Sequence, residues 1–209
     1  LVGFLAGAMA ANGGSGFFGA LAGGFVGGYL ILALKRCLSF LPESLENLKP
    51  ILLYPVLGLM IMGALMVFFI NPVMGAVNHW VNGSLTAMSG GSKVLLGLVL
   101  GGMMSIDFGG PLNKAAYVFG TASLAGADGQ AVSSRFMASV MIGGMVPPLA
   151  LAVACRLFPK KFTVQQRSSS LTNFIMGLSF ITEGAIPFAA EDPSRVIPAC
   201  AIGAAVAGA

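Results

Sequence analysis

Glu183 is the residue with the most chemistry at stake. It stands in the run Thr182, Glu183, Gly184, between Ile181 and Ile186 and within a largely apolar stretch. A carboxylate in such surroundings is costly in a membrane and marks a functional position. It can accept hydrogen bonds from sugar hydroxyls, or take the proton of a hydroxyl that is being phosphorylated. The competing reading is a structural ion pair, with Lys114 or Arg195 as the partner. A second polar cluster runs from Asp107 to Lys114 and contains Gly109, Gly110, Pro111 and Asn113. It reads as a polar tip lining an aqueous cavity for a sugar or an ion, because irregular backbone at membrane depth is tolerated only inside protein or beside water. Asn113 offers both a donor and an acceptor to a solute. Asp107 and Lys114 either touch that solute or pair with each other and hold the turn.

The elements that must position these residues follow from composition. The chain has 209 residues, of which 56% are hydrophobic and only 9% charged, and its mean hydropathy is +0.90. A soluble domain carries roughly a quarter charged residues. Thirty glycines and 12 methionines suit helices packed closely in lipid. The expected fold is all-α: a polytopic helical membrane protein forming one membrane domain over 1–209. The net charge of +4 is scattered among apolar runs, which argues against nucleic acid and for a loop bias towards the cytoplasm. Both ends fall within apolar runs without flanking charges, as expected of an internal stretch of a longer chain.

A crossing helix needs about 20 apolar residues. Phe17–Leu34, Ile51–Ile70 and Phe136–Cys155 meet or approach that length, the last with a kink or break expected at Pro147 and Pro148. Val94–Ile106 and Ala115–Ala127 are each about 13 residues, some 20 Å as helix, too short to span. The loops over 35–50 and 156–167 carry Lys35, Arg36, Lys49, Arg156, Lys160, Lys161 and Arg167, whereas 71–92 reads as an outside loop without Lys or Arg. The positive-inside rule then makes 94–135 a hairpin dipping in from outside. The stretch 168–198 starts inside and breaks near Glu183, giving a second re-entrant hairpin. Two broken hairpins meeting from opposite faces are a common way to build a transporter site.

Other motifs carry less. Gly14, Gly16 and Gly19 match a GxGxxG spacing, but no strand precedes them and no acidic residue follows at ribose distance. Gly19, Gly23, Gly24, Gly27 and Gly28 instead repeat at the spacing of close helix packing. His79 beside Trp80 reads as part of an interfacial belt; hydrogen bonding of His79 to a sugar is the sharper alternative. Glu43, Glu46 and Lys49 read as a short cytoplasmic amphipathic segment, and Glu191, Asp192 and Arg195 as a solvated cap or local salt bridge. The cysteines Cys37, Cys155 and Cys200 form no framework. No grouping has metal-ligand spacing, and no Walker A sequence is present.

Four stretches together resemble a known family. Gly109–Gly120 (GGPLNKAAYVFG) and Ile181–Pro198 (ITEGAIPFAAEDPSRVIP) are the specific ones; Asn12–Gly19 (NGGSGFFG) and Gly101–Asp107 (GGMMSID) accompany them. They are similar to the membrane (IIC) component of fructose-specific permeases of the bacterial phosphoenolpyruvate-dependent phosphotransferase system, within the glucose–fructose–lactose superfamily. The resemblance implies a homodimeric, multi-pass inner-membrane protein that binds fructose or a similar hexose and presents it to a phosphorylated IIB domain. It implies sugar contact at Glu183 in the Thr182–Glu183 motif, and at the first hairpin tip over Gly110, Pro111, Asn113 and Lys114. No cofactor is implied, because the phosphoryl group comes from phospho-IIB, itself charged by IIA. Phosphotransfer would then belong to the complex, with this segment as the translocator. The alternative is a secondary transporter of a small polar solute, coupled to protons or sodium through Asp107 and Glu183.

Overall fold

The computed structural model describes residues 1–42, 46, 48–124 and 133–209. Among these, every regular element is helical. The chain clusters into two compact units, Leu1–Asn82 and Gly83–Ala209.

In the first unit, α1 (Val2–Asn12) and α2 (Gly16–Cys37) form a helical hairpin. The turn between them uses Gly14 and Gly16 at φ of 76° and 55°, backbone that glycine adopts without cost. The glycine repeat explains the closeness of the pair. A Cβ on Gly23 would lie 2.8 Å from that of Ala6, and one on Gly27 would lie 3.2 Å from Val2. Gly24 and Gly28 lie on the open side and meet nothing. Met62 of α3 (Tyr54–Leu65) and Met66 beyond it close the same core with Val2, Ala6 and Ala10.

Three helices are long and apolar enough to cross a membrane: Gly16–Phe40, Lys49–Ser89 and Arg135–Leu157. The second corrects an expectation. The stretch 71–92 is not a loop; Asn71–Ser89 forms α4, joined to α3 through a wide turn at Met66–Ile70. Its Asn and Gly residues lower helix propensity, but propensity is a weak prior that context overrides. Of the amphipathic segment near Glu43, residues 43–45 and 47 lie outside the described ones, while Lys49 sits 4.0 Å from Glu46.

The second unit holds α5 (Lys93–Met104), α6 (Pro111–Ala122), α7 (Arg135–Leu157), α8 (Val164–Ser168), α9 (Ser170–Leu178), α10 (Ile186–Glu191) and α11 (Pro193–Gly208). Both expected interruptions are present, at 105–110 and at 179–185. Helix α6 begins at Pro111 rather than beyond Lys114, so Lys114 belongs to its first turn. The end of the second short segment, 125–127, lies outside the described residues. Helix α7 runs unbroken through Pro147 and Pro148, so no break occurs there.

Glycine again sets the packing. A Cβ on Gly101 would collide with the carbonyl of Ala204 in α11, and one on Gly143 would lie 2.6 Å from Cα of Gly101. Ser139 of α7 donates to the carbonyl of Gly208 at 2.6 Å. Gly101→Val is therefore expected to destabilise the protein by about 1–3 kcal/mol through overpacking, read as earlier unfolding of the detergent-solubilised protein. Gly24→Ala, on the open face of α2, should unfold as the wild type does.

Candidate functional site

The site is built where the two interruptions meet α7. Proline has no N–H, so Pro147 and Pro148 leave the carbonyls of Gly143 and Gly144, four residues earlier, without their helical partners. Hydroxyls from the two interruptions supply them. Ser105 donates to Gly143 at 3.2 Å, and Thr182 donates to Gly144 at 2.9 Å. Both hydroxyl residues are buried. Each interruption is thereby fixed to α7 at neighbouring residues.

At the first interruption the carboxylate of Asp107 is engaged by backbone. It accepts from N–H of Leu112 at 2.6 Å and from N–H of Asn113 at 3.1 Å. These N–H groups of the first turn of α6 have no helical partner, and a carboxylate there also complements the helix dipole. Asp107 therefore does not pair with Lys114. Asn113, 2% exposed, donates through Nδ2 to the carbonyl of Met104 at 2.7 Å, joining the start of α6 to the end of α5. Phe108 and Phe180, one at each interruption, have φ of 43° and 60°. That left-handed backbone is uncommon for bulky residues. Phe108 is buried against Leu151, Cys155, Phe188 and Cys200. Phe180 packs onto Gly144, where any Cβ would collide with its ring.

Lys114 reaches across to the second interruption, its Nζ 3.4 Å from Oε1 of Glu183. The ion pair anticipated for Glu183 is thus with Lys114, while Arg195 pairs with Asp192 at 3.6 Å near the start of α11. The carboxylate of Glu183 also packs against backbone. Gly109, at φ 110°, lies so close to the Glu183 carboxylate that a Cβ there would collide with it. Both charged side chains keep more than a third of their surface, 37% for Lys114 and 44% for Glu183. An ion pair that exposed is worth about 0–1 kcal/mol. A ligand hydroxyl can displace it at little cost.

The pair opens into a cavity of about 390 Å³ lined by Met104, Asn113, Lys114, Tyr117, Phe180, Thr182 and Glu183. That volume lies within the range of small-molecule sites. Tyr117 and Phe180 stand 6.1 Å apart, centre to centre, and offer aromatic surface; Glu183 and Lys114 offer an acceptor and a donor. Of the residues expected from sequence, Asn113, Lys114, Thr182 and Glu183 come together here. Gly110 and Pro111 form the start of α6, with Gly110 packed on Asp107. His79 belongs to the other unit and lines a cavity there with Gly13, Asn71 and Gly75. Among the described residues, no group of His, Cys, Asp and Glu could hold a metal ion. Sequence reasoning missed Ser105, Tyr117 and Phe180. The Pro147–Pro148 pair was the available signal for Ser105, since prolines inside a helix announce carbonyls that need donors.

A family model described as the phosphotransferase system EIIC matches residues 4–203. The chain is 48% identical over 206 residues to the fructose-specific EIIABC component of Bacillus subtilis, covering 99% of this chain and 32% of that protein. It is also 48% identical to the fructose permease IIC component of Bacillus amyloliquefaciens, covering 99% of this chain and 66% of that one. The fructose-specific EIIB'BC component of Escherichia coli is 44% identical over 173 residues, 81% of this chain and 29% of that protein. The chain thus spans from under a third to about two-thirds of the length of these relatives. No solved structure matches it.

Thr182→Val should leave the Gly144 carbonyl without a donor and cost about 1–3 kcal/mol, the usual penalty for an orphaned buried polar group. Thr182→Ser should restore most of it. Unfolding of the two variants in detergent checks this, and a Thr182→Val protein as stable as wild type would mean that the carbonyl finds another donor.

Proposed function

The chain belongs to the EIIC family of the phosphotransferase system, and from that premise we propose that it is the sugar-translocating IIC subunit of a fructose permease. The observation that carries the proposal is the Lys114–Glu183 pair, loosely held and facing a cavity of monosaccharide scale beside Tyr117 and Phe180. Glu183 accepts two sugar hydroxyls through a carboxylate that Lys114 occupies on one oxygen only. Lys114 donates to a ring or hydroxyl oxygen, and the aromatic rings cover the apolar face of the sugar. Thr182, Asn113 and Asp107 hold these groups in place through the backbone bonds described above. Gly110 and Pro111 shape the wall on which Lys114 stands.

Fructose is the favoured solute because the named relatives are fructose-specific components. Their composite names, EIIABC in one relative and EIIB'BC in another, favour IIB and IIA as the partners that deliver the phosphoryl group. In that exchange the sugar hydroxyl oxygen attacks the phosphorus carried by phospho-IIB. The bond from phosphorus to IIB breaks, and Glu183 accepts the hydroxyl proton. The chain itself is the translocator, in a multi-pass homodimer of the bacterial inner membrane. The stretches 94–135 and 168–198 are re-entrant hairpins from opposite faces, a reading supported by helices α5, α6 and α9 of about 9–12 residues, far below the spanning length.

Glu183→Gln keeps the shape and removes both the charge and the base, so fructose uptake and phosphorylation should fall to background in membranes that also contain IIA and IIB. Uptake at the wild-type rate would overturn the assignment. Uptake that needs a sodium or proton gradient and ignores phosphoenolpyruvate would instead favour ion coupling. Cysteines placed at Ser92 and Ser169 should label with a membrane-impermeant reagent from outside and inside respectively; labelling from one common side would remove the opposed hairpins.

A further inference from the structure

Glu183 lines a second cavity as well. About 340 Å³ in volume, it lies beside α8, α9 and α10 and is lined by Gln165, Ser169, Thr172, Asn173 and Glu191 among others. Asn173 is the unusual member. It is 3% exposed, and its Nδ2 is buried without a hydrogen-bond partner among the described residues. Its Oδ1 lies against Gly184, close enough that a Cβ there would approach to 2.6 Å. Nearly all buried polar side-chain atoms find a partner, and an exception calls for an explanation such as a ligand.

The rest of the lining combines apolar surface from Met176, Pro187 and Phe188 with amides, hydroxyls and two carboxylates. Glu183 and Glu191 are its two carboxylates, no Lys or Arg lines it, and Gln166 already donates to Glu191 at 2.7 Å. Amides, hydroxyls and carboxylates without a cation suit an uncharged polyol. A phosphate ester would meet the carboxylate of Glu191 beside that of Glu183, which Lys114 pairs on one oxygen only, and like-charge juxtaposition disfavours it.

We propose that this cavity is a second sugar subsite, sharing Glu183 with the Lys114 cavity, in which Asn173 hydrogen-bonds a hydroxyl of the unphosphorylated sugar and the acidic lining rejects the sugar phosphate. The inference rests on the sugar-translocating reading of Glu183 given above. Reaching the solute takes a turn of the Asn173 amide about χ2, a broad torsion between sp³ and sp² carbons. The missing partner of Nδ2 favours that turn, because the present position gives the nitrogen nothing to lose. A sugar moving from the Lys114 cavity to the Asn173 cavity keeps Glu183 as a contact throughout, so the carboxylate is never left without a partner.

The test is fructose and fructose 1-phosphate binding to the purified protein in detergent, followed calorimetrically. Fructose should bind the wild type more tightly than fructose 1-phosphate by about tenfold or more, the ratio that roughly 1.4 kcal/mol produces. Asn173→Ala should weaken fructose by about tenfold, the loss of one hydrogen bond to a buried site, without lowering the unfolding midpoint. Glu191→Lys replaces one of the two carboxylates by a cation, and should narrow the gap in affinity between the two ligands. Wild-type affinities in Asn173→Ala together with an unchanged ligand ratio in Glu191→Lys would overturn the second subsite. Should Asn173→Ala not fold, the Glu191→Lys ratio alone decides. Failure of the wild type to bind fructose at all would instead overturn the functional reading beneath it, so the two failures are distinguishable.

Discussion

Pro147 and Pro148 place two carbonyls, those of Gly143 and Gly144, in the middle of a membrane-length helix without their usual donors. In hydrocarbon each such group costs several kcal/mol unless something hydrogen-bonds it. Water is the ordinary remedy in a soluble protein; here the remedy is Ser105 and Thr182. This requirement links three parts of the sequence that lie far apart. The carbonyls are adjacent on α7, so the two interruptions that satisfy them must approach each other. Lys114, nine residues after Ser105, and Glu183, one residue after Thr182, are carried together as a consequence. Gly143 and Gly144 contribute again by lacking side chains, since Gly101 and the ring of Phe180 occupy the space their Cβ atoms would take.

The charges then separate by function according to what surrounds them. Each oxygen of Asp107 accepts one backbone N–H at the start of α6, which ties the carboxylate to the turn. Lys114 and Glu183 pair with each other at 3.4 Å, with more than a third of each side chain exposed. A pair so weakly held is poor as a structural fastening. The turns around it are fastened by other means: the Asp107 cap, the Asn113 bond to Met104, and the Thr182 bond to Gly144. The ion pair can therefore open without the fold opening.

Much of this was legible in the sequence because charge is so scarce. In a chain with 9% charged residues, Asp107, Lys114 and Glu183 stand out against apolar runs, and their positions located both interruptions. The glycine spacing also announced close helix packing, which Gly19, Gly23 and Gly27 provide while Gly24 and Gly28 face open space; the partner helix was not legible. What could not be read was partnership. Asp107 and Lys114, seven residues apart, read equally as a pair or as two solute contacts; the free N–H groups of Leu112 and Asn113 take the carboxylate once the chain turns at Gly110. Helix α4 is hidden in the sequence because absence of charge together with Asn and Gly mimics a turn-rich segment. The strained backbone of Phe108 and Phe180 leaves no trace in residue type, because aromatic residues ordinarily avoid that conformation.

That strain has a structural reason which bears on Glu183. A left-handed residue reverses the chain in little space, and glycine would do it at lower cost. Glycine would supply no ring. Phe108 fills the core beside Phe188 and Cys200, and Phe180 covers the bare backbone at Gly144 while facing Tyr117. The rings anchor the turns, and the turns set the direction in which Gly109 and Glu183 approach one another. A carboxylate on a freely moving loop would lose orientational entropy on binding each solute molecule, whereas one whose backbone is already fixed does not. The backbone of Glu183 is held at Thr182 and Gly184 while its carboxylate keeps 44% of its surface. Rigid placement and chemical availability are thus obtained from different atoms of the same turn.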